Sequence, residues 1–246
     1  MTDPLYCINP YKKTCEGAKL LAKRSGWPMV WEDVNPSVPV INWGAGFGVF
    51  GSKRKVFNKS SAIEHAIDKL TAYGLFKQAG VKRMLWTSAK SDAQRWLDNG
   101  DVVYARNLSE GMDGAGIKVY EPGSKIVGSH LFYTQGFPTQ REYRLNVAFG
   151  RVIDIVEKRP DLDTDYNPRL RTGDAWLYCK SGIVPPSTAT KAQAVLAVGS
   201  LGLDFGGVDI AESEDGRTCV FEVNTAPWLG IGTADAYIKA FRAQAS

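Results

Sequence analysis

Histidine and cysteine are scarce in this sequence, and their scarcity closes off several chemistries. Two histidines, His65 and His130, stand in 246 residues, so a metal site with three imidazoles is excluded and a Ser-His-Asp triad is disfavoured. Neither histidine is assigned chemistry: His65 lies in a helical pattern and His130 precedes an apolar strand. The four cysteines, Cys7, Cys15, Cys179 and Cys219, form no CxxC pair, which argues against zinc ribbons and redox motifs and for reduced thiols. No apolar run approaches the roughly 20 residues that span a bilayer, and the opening "MTDPLYCINPYKKTCEG" has no apolar signal core. A soluble, cytoplasmic protein without membrane contact is expected. The formal charge of +4 is mild and its cations are scattered. Only "GSKRKVFNKS", residues 51–60, is densely basic; it reads as a solvated loop, though it leaves room for an acidic peptide or a nucleic acid as partner.

With 44% hydrophobic and 23% charged residues, the chain can bury a full core and one or two compact subdomains. Residues 1–60 read as a short opening unit around the strand "VPVINWG". The stretch "NKSSAIEHAIDKLTAYGLFKQAGV" predicts one helix, with Ser61 and Glu64 as a capping box and Ile63, Ile67, Leu70 and Leu75 as its apolar stripe. A second helix, "SDAQRWLDNG", ends at Gly100. Residues 101–122 then read as strand, glycine-rich loop, strand. That loop, with Gly111, Gly114 and Gly116, has neither the order of a P-loop nor that of a dinucleotide-binding turn. It is either a plain mobile hairpin or a lid over phosphates, with Arg106 at its root. "QREYRLNVAFGRVIDIVEKRP" predicts a hairpin turning at Phe149-Gly150-Arg151, with Glu142, Arg144 and Asn146 sharing one face. A long loop over 160–186 follows, then a helix capped by Ser187 and ended by Gly202.

The most informative stretch is "FGGVDIAESEDGRTCVFEVNTAPWLG", residues 205–230. A two-residue turn at Asp215-Gly216 would set Glu214 opposite Arg217, Ile210 opposite Phe221, and Asp209 opposite Glu222. Asn224 would share their face. Two like charges directly opposed are destabilising, so either one is protonated or a cation lies between them; the alternative is a longer loop with both acids solvated. A hard divalent cation held by carboxylate and amide oxygens fits best, and Mg²⁺ also recruits phosphates.

In their order, these parts resemble the ATP-grasp superfamily, which includes D-alanine–D-alanine ligase, glutathione synthetase and the ribosomal-protein glutamate ligase. The resemblance covers about residues 38–240, is most specific at "GGVDI" with "FEVNTAPWLG", and is nearest to small phage-type members with an "INWG" strand. It implies an α+β fold in which two subdomains, 61–135 and 136–246, clamp ATP behind the truncated unit of residues 1–60. It further implies that Asp209, Glu222 and Asn224 hold Mg²⁺ or Mn²⁺, and that Lys69, Arg106, Arg144 and Lys158 contact nucleotide. Gly111, Gly114 and Gly116 would form the lid, and backbone groups from Thr134 to Phe137 would read adenine. Gln135 stands where the family often has an acidic residue. Arg144, Arg171 and Asn224 would serve the reaction itself. The activity implied is ATP-dependent joining of a carboxylate to an amine or thiol through an acyl phosphate; a kinase on the same fold and a non-catalytic nucleotide-binding module are the rivals.

Overall fold

Three sheets organise the chain. The computed structural model describes residues 5–31, 37–46, 54–110, 116–161 and 176–244. The first sheet is parallel, in the order β1 (Cys7–Pro10), β2 (Val40–Trp43), β3 (Val56–Phe57), with α1 (Glu16–Ser25) between its first two strands. Parallel strands are covered on both faces, and every residue of β1 and β2 is buried. The polar exceptions satisfy each other: Asn9 donates to Asn42 at 3.4 Å, and Asn42 donates to the Ala45 carbonyl at 3.0 Å.

The second sheet is antiparallel, in the order β4 (Trp86–Thr87), β7 (Phe132–Gln135), β5 (Val103–Arg106), β6 (Ile117–Tyr120). Its outer face is covered by α4 (Lys90–Asp98), whose Ala93 and Leu97 pack on Val103, Ala105 and Tyr133. The third and largest sheet runs β10 (Trp176–Cys179), β9 (Arg151–Pro160), β8 (Arg141–Ala148), β11 (Phe205–Glu212), β12 (Thr218–Asn224), all antiparallel. Between β10 and β11 the chain forms α5 (Thr188–Ser200), started by the Ser187 hydroxyl, which accepts the Thr190 N–H at 3.1 Å. Tyr143, Leu145, Val208, Ile210 and Val220 form the core with α5 and with α2 (Ser60–Ile67) and α3 (Lys69–Ala79).

The last helix, α6 (Ile231–Arg242), joins the first sheet to the body. Trp43 stacks on Phe205 at 5.2 Å, and the Tyr6 hydroxyl donates to the Phe241 carbonyl at 2.7 Å. Each such ring, fully buried, contributes on the order of 2 kcal/mol. The opening unit is therefore fastened to the largest sheet by aromatic packing. Among the described residues, no helix is long and apolar enough to cross a membrane.

The α+β expectation holds; strand β10 lies within the loop expected over 160–186, where it pairs with β9, and two further local corrections apply. The single helix expected over residues 58–81 is two helices, broken at Asp68. Asp68 takes an extended conformation and its carboxylate accepts the Thr71 N–H at 2.7 Å, so it caps α3. Ser61 caps nothing, because α2 already starts at Ser60 after Lys59. The second correction concerns the acidic hairpin. Its tip is a three-residue loop, Glu214–Gly216: the Ser213 N–H donates to Arg217 O at 3.0 Å, and Gly216 takes φ +79°. Ile210 consequently faces Val220, and the added residue Phe221 forms a bulge that returns Asp209 to a position opposite Glu222.

Candidate functional site

One face of the largest sheet is built from charges. Side chains alternate along a strand, so β8 turns Glu142, Arg144 and Asn146 to one side while Tyr143, Leu145 and Val147 enter the core. Register carries the polar row across the sheet: Arg144 lies beside Asp209, which lies beside Glu222, and Asn146 lies beside Gly207, then Asn224. On the other flank Lys158 lies beside Glu142. Arg144 grips Asp209 with two bonds of 2.8 Å, and Lys158 reaches Glu142 at 2.6 Å and Asp209 at 3.2 Å. The Asp209 side chain is only 6% exposed. Burial would raise its pKa, but Arg144 and then Lys158 outweigh burial and hold the carboxyl well below the usual carboxylate range. Burial likewise opposes the charges of Arg144 and Lys158, yet their carboxylate partners raise both pKa values.

Glu222 differs from its opposite number. Its side chain is 40% exposed, its Oε2 lies 3.9 Å from Lys69 Nζ, and its Oε1 lies 3.5 Å from Asn224 Nδ2. The hairpin thus tolerates two opposed acids because side-chain cations serve each of them. At the other end of the face, Asp154 accepts from Lys180 and from the Thr233 hydroxyl, both at 2.7 Å, and Tyr237 donates to Asn146 at 3.2 Å. Arg144 also lies over the Tyr178 ring at 5.5 Å, and Tyr178 packs against the exposed Trp228 at 5.8 Å. Gly207 keeps the segment after Asn224 close to this face, since a Cβ there would come within 2.8 Å of Pro227 Cβ.

α3 and the second sheet adjoin this face, α3 through Lys69 and Glu222 and the second sheet through its packing on β11 and β12. Lys69 is the first residue of α3, and its backbone N–H donates to Ser109 O at 3.1 Å, at the root of the glycine loop. The Asn107 N–H closes that root on Gly116 O at 3.0 Å, and Gly116 takes φ +72°. Arg106 ends β5 with its guanidinium over Phe132 at 5.9 Å; its buried Nε has no hydrogen-bond partner among the described residues. Among the described residues the buried Thr134 hydroxyl has none either. Where the second sheet meets β11 and β12, Met84, Ala211, Cys219 and Phe221 form an apolar cluster against which Tyr104 and Phe137 pack.

A scan against models of known protein families finds no match. Among curated proteins, the chain is 27% identical over 190 residues to a probable alpha-L-glutamate ligase of Sodalis glossinidius (strain morsitans), covering 70% of this chain and 60% of that protein. It is 27% identical over 192 residues to a protein of the same description from Psychromonas ingrahamii (strain DSM 17664 / CCUG 51855 / 37), covering 72% and 61%. The chain therefore spans about 60% of the length of these relatives. Among solved structures, the ATP-grasp ligase PsnB, complexed with minimal precursor, Mg and ADP, superposes with a TM-score of 0.71. It is 17% identical, covering 100% of this chain and 99% of that one. The fold is ATP-grasp. D-alanine–D-alanine ligase from Bacillus anthracis superposes at 0.63 with 11% identity, covering 98% of each chain.

On this ATP-grasp scaffold, the residues singled out from sequence fall into three groups. Arg144, Lys158, Asp209, Glu222 and Asn224 share the charged face, with Lys69 reaching it from α3. Arg106, Thr134, Gln135, Phe137 and Gly116 belong to the second sheet, its loop root and its exit. There the N–H groups of Gln135 and Gly136 already donate to Leu85 O and Val102 O, and Gln135 Nε2 donates to Asp101 at 2.5 Å. Gly111, Gly114 and Arg171 lie outside the described residues. Arg159 turns away from Lys158 to bond Glu157 and Gly182 O. Sequence reasoning missed the charge roles of Glu142 and Asp154. Their signal was present: Asp154 and Lys158 lie four residues apart on one strand, two full alternations, and Glu142 lies two before Arg144.

Among the described residues, no three carboxylate, histidine or cysteine side chains gather as a ready metal cage. The oxygen donors present are two carboxylates and one amide, the hard set that Mg²⁺ accepts alongside phosphate oxygens and water. Glu222 and Asn224 are partly exposed, while Asp209 is held by Arg144 and Lys158. The donor chemistry fits a hard divalent ion, provided that Asp209 exchanges its cations.

Proposed function

We propose that the protein is an ATP-dependent ligase that joins a carboxylate to an amine or thiol by way of an acyl phosphate. The charged face of the largest sheet carries this reading: Arg144, Lys158 and Lys69 converge there with Asp209, Glu222 and Asn224. Phosphoryl transfer to a carboxylate needs little covalent help from protein; it needs aligned oxygens, positive charge and exclusion of water. Asp209, Glu222 and Asn224 would hold Mg²⁺, which when bound neutralises phosphate charge and orients the transferred group. Arg144 from β8 and Lys69 from α3 would supply charge to the phosphates. The apolar cluster of Met84, Tyr104, Phe137 and Phe221 offers a water-poor surface for a flat base. Arg106 stands at the end of β5, before the glycine-rich stretch, where its charge would serve phosphates. Arg171 is assigned to the acyl phosphate by resemblance alone.

The names of the similar proteins support the same class. The curated relatives are described as probable alpha-L-glutamate ligases, and PsnB was solved with a precursor. A peptide or an amino acid is therefore the acceptor class to screen first. The test is a screen of amino acids, small acids and peptides with Mg-ATP, followed by hydroxylamine trapping. Hydroxamate together with ADP supports the ligase, because hydroxylamine intercepts an acyl phosphate. A stable phosphorylated product without hydroxamate would make the protein a kinase, and nucleotide binding without turnover would make it a binding module.

A further inference from the structure

Among the described residues, three cations and three carboxylates of the charged face pair with one another. Arg144, Lys158 and Lys69 face Glu142, Asp209 and Glu222. The pairs are not equivalent. Lys69 and Glu222 stand 3.9 Å apart with Glu222 open to solvent, whereas both oxygens of Asp209 are already engaged. Asp209 Oδ1 receives Arg144 Nε, and Oδ2 receives both Arg144 Nη2 and Lys158 Nζ. Asp209 cannot serve a divalent ion at full strength while it also serves both cations. Arg144 has an alternative anion in incoming phosphates. Lys158 is 7% exposed, and its second partner is Glu142, at 2.6 Å and 2% exposed.

We infer that Glu142 is a positioning residue, which holds Lys158 back and so sets how readily Asp209 can become a metal ligand. The inference rests on the metal reading above. The reason is electrostatic competition. Among the described residues, a buried ammonium without Glu142 would keep Asp209 as its carboxylate partner beside the Trp176 ring at 4.8 Å, and would hold Asp209 harder, since a buried charge left unpaired is strongly disfavoured. With Glu142 present, Lys158 keeps one short, charge-assisted bond after Asp209 turns to the ion. Glu142 thus acts through Lys158 and not by touching the reacting atoms. Its placement by β8 is rigid: Glu142 pairs with Ala211 on one side and with Lys158 on the other.

The test is Mn²⁺ binding to the full chain in the presence of ADP, followed by electron paramagnetic resonance. Glu142→Gln is expected to raise the Kd for Mn²⁺ on the order of tenfold or more, as loss of an outer partner does at other metal sites. ADP affinity in EDTA should be unchanged. Adding Lys158→Met to Glu142→Gln removes the competitor; with each variant held at an ADP concentration that saturates it, so that any loss of nucleotide contact by Lys158 does not enter, the Mn²⁺ Kd should return to within about threefold of the wild type. Glu142→Asp keeps the charge and should also stay within about threefold. A merely structural Glu142 would make the double variant no better than the single one. Should Glu142→Gln fail to fold, the double variant is compared with Lys158→Met: equal Mn²⁺ affinities support the inference, and a weaker double variant overturns it. An unchanged Mn²⁺ Kd in Glu142→Gln also overturns it. Asp209→Asn separates the two failures, because unchanged Mn²⁺ binding in that variant would remove the metal reading itself.

Discussion

Along β8, two sets of side chains are buried almost equally and held in opposite ways. Leu145 and Val147 are fully buried towards α5; Glu142 and Asn146 are 3% and 1% exposed on the other face. Burial does not distinguish a core from a site here, but partners do. The apolar set is stabilised by area and shape, and loses in proportion to the volume removed. The polar set is stabilised only while each charge keeps its opposite number, so losing one partner strands another. One strand therefore carries both the stability of the sheet and its chemistry, and substitution can separate them.

The largest separation should come from Arg144→Ala. It strands Asp209 beside Lys158 alone and removes charge from the phosphate path. Turnover of ATP with an identified substrate should fall on the order of 10²–10³-fold, measured by ADP release. A fall under about tenfold would place Arg144 outside the transition-state contacts. Leu145→Ala tests the other face: urea denaturation should show a loss of about 2–5 kcal/mol, while the folded fraction keeps its affinity for Mg-ADP. Changed affinity would mean that the two faces are coupled. Gly207→Ala is intermediate, because its Cβ would collide with Pro227 and the mismatch costs about 1–3 kcal/mol. Urea midpoints of the variant report that cost, and an unchanged midpoint would show that the segment after Asn224 yields freely.

The smallest effect concerns Asp68, which caps α3 just before Lys69. Burial raises its pKa, but hydrogen bonds from Thr71 and Ser109 outweigh it, and the pKa is lowered overall. A lowered folded pKa means that the contribution is present above the unfolded value of about 3.9 and is lost as pH falls through the folded one. Asp68→Ala should therefore cost about 1 kcal/mol at pH 7, with the gap to the wild type closing below about pH 4. Urea midpoints at several pH values check this, and a gap independent of pH would deny the cap its charge.

The charged face was legible because alternation is a local rule. Glu142, Arg144 and Asn146 share a side whatever the rest of the chain does, and so do Glu222 and Asn224. Cross-strand register was less legible. The turn at Asp215-Gly216 was read one residue too short, and only the Phe221 bulge, which no local pattern announces, restored Asp209 to Glu222. The break at Asp68 was hidden for a similar reason. The apolar stripe runs through Ile67 and Leu70 without interruption, while the capping bond that stops one helix and starts another depends on backbone geometry. Least legible was how the acids are neutralised. Repulsion between Asp209 and Glu222 pointed to a cation, but the cations that meet Asp209 come from β8 and β9, some 50 to 65 residues away along the chain.

Calorimetric titration of Mg-ADP into the wild type and into Glu222→Gln tests the central claim most directly. Glu222 is the open carboxylate of the charged face, and an amide in its place keeps the shape while removing the charge. Measurable Mg-ADP binding is expected in the wild type, with a large loss in Glu222→Gln and no difference between the two when ADP is titrated in EDTA. Equal Mg-ADP affinity in both proteins would contradict the claim that this face holds the metal–nucleotide complex.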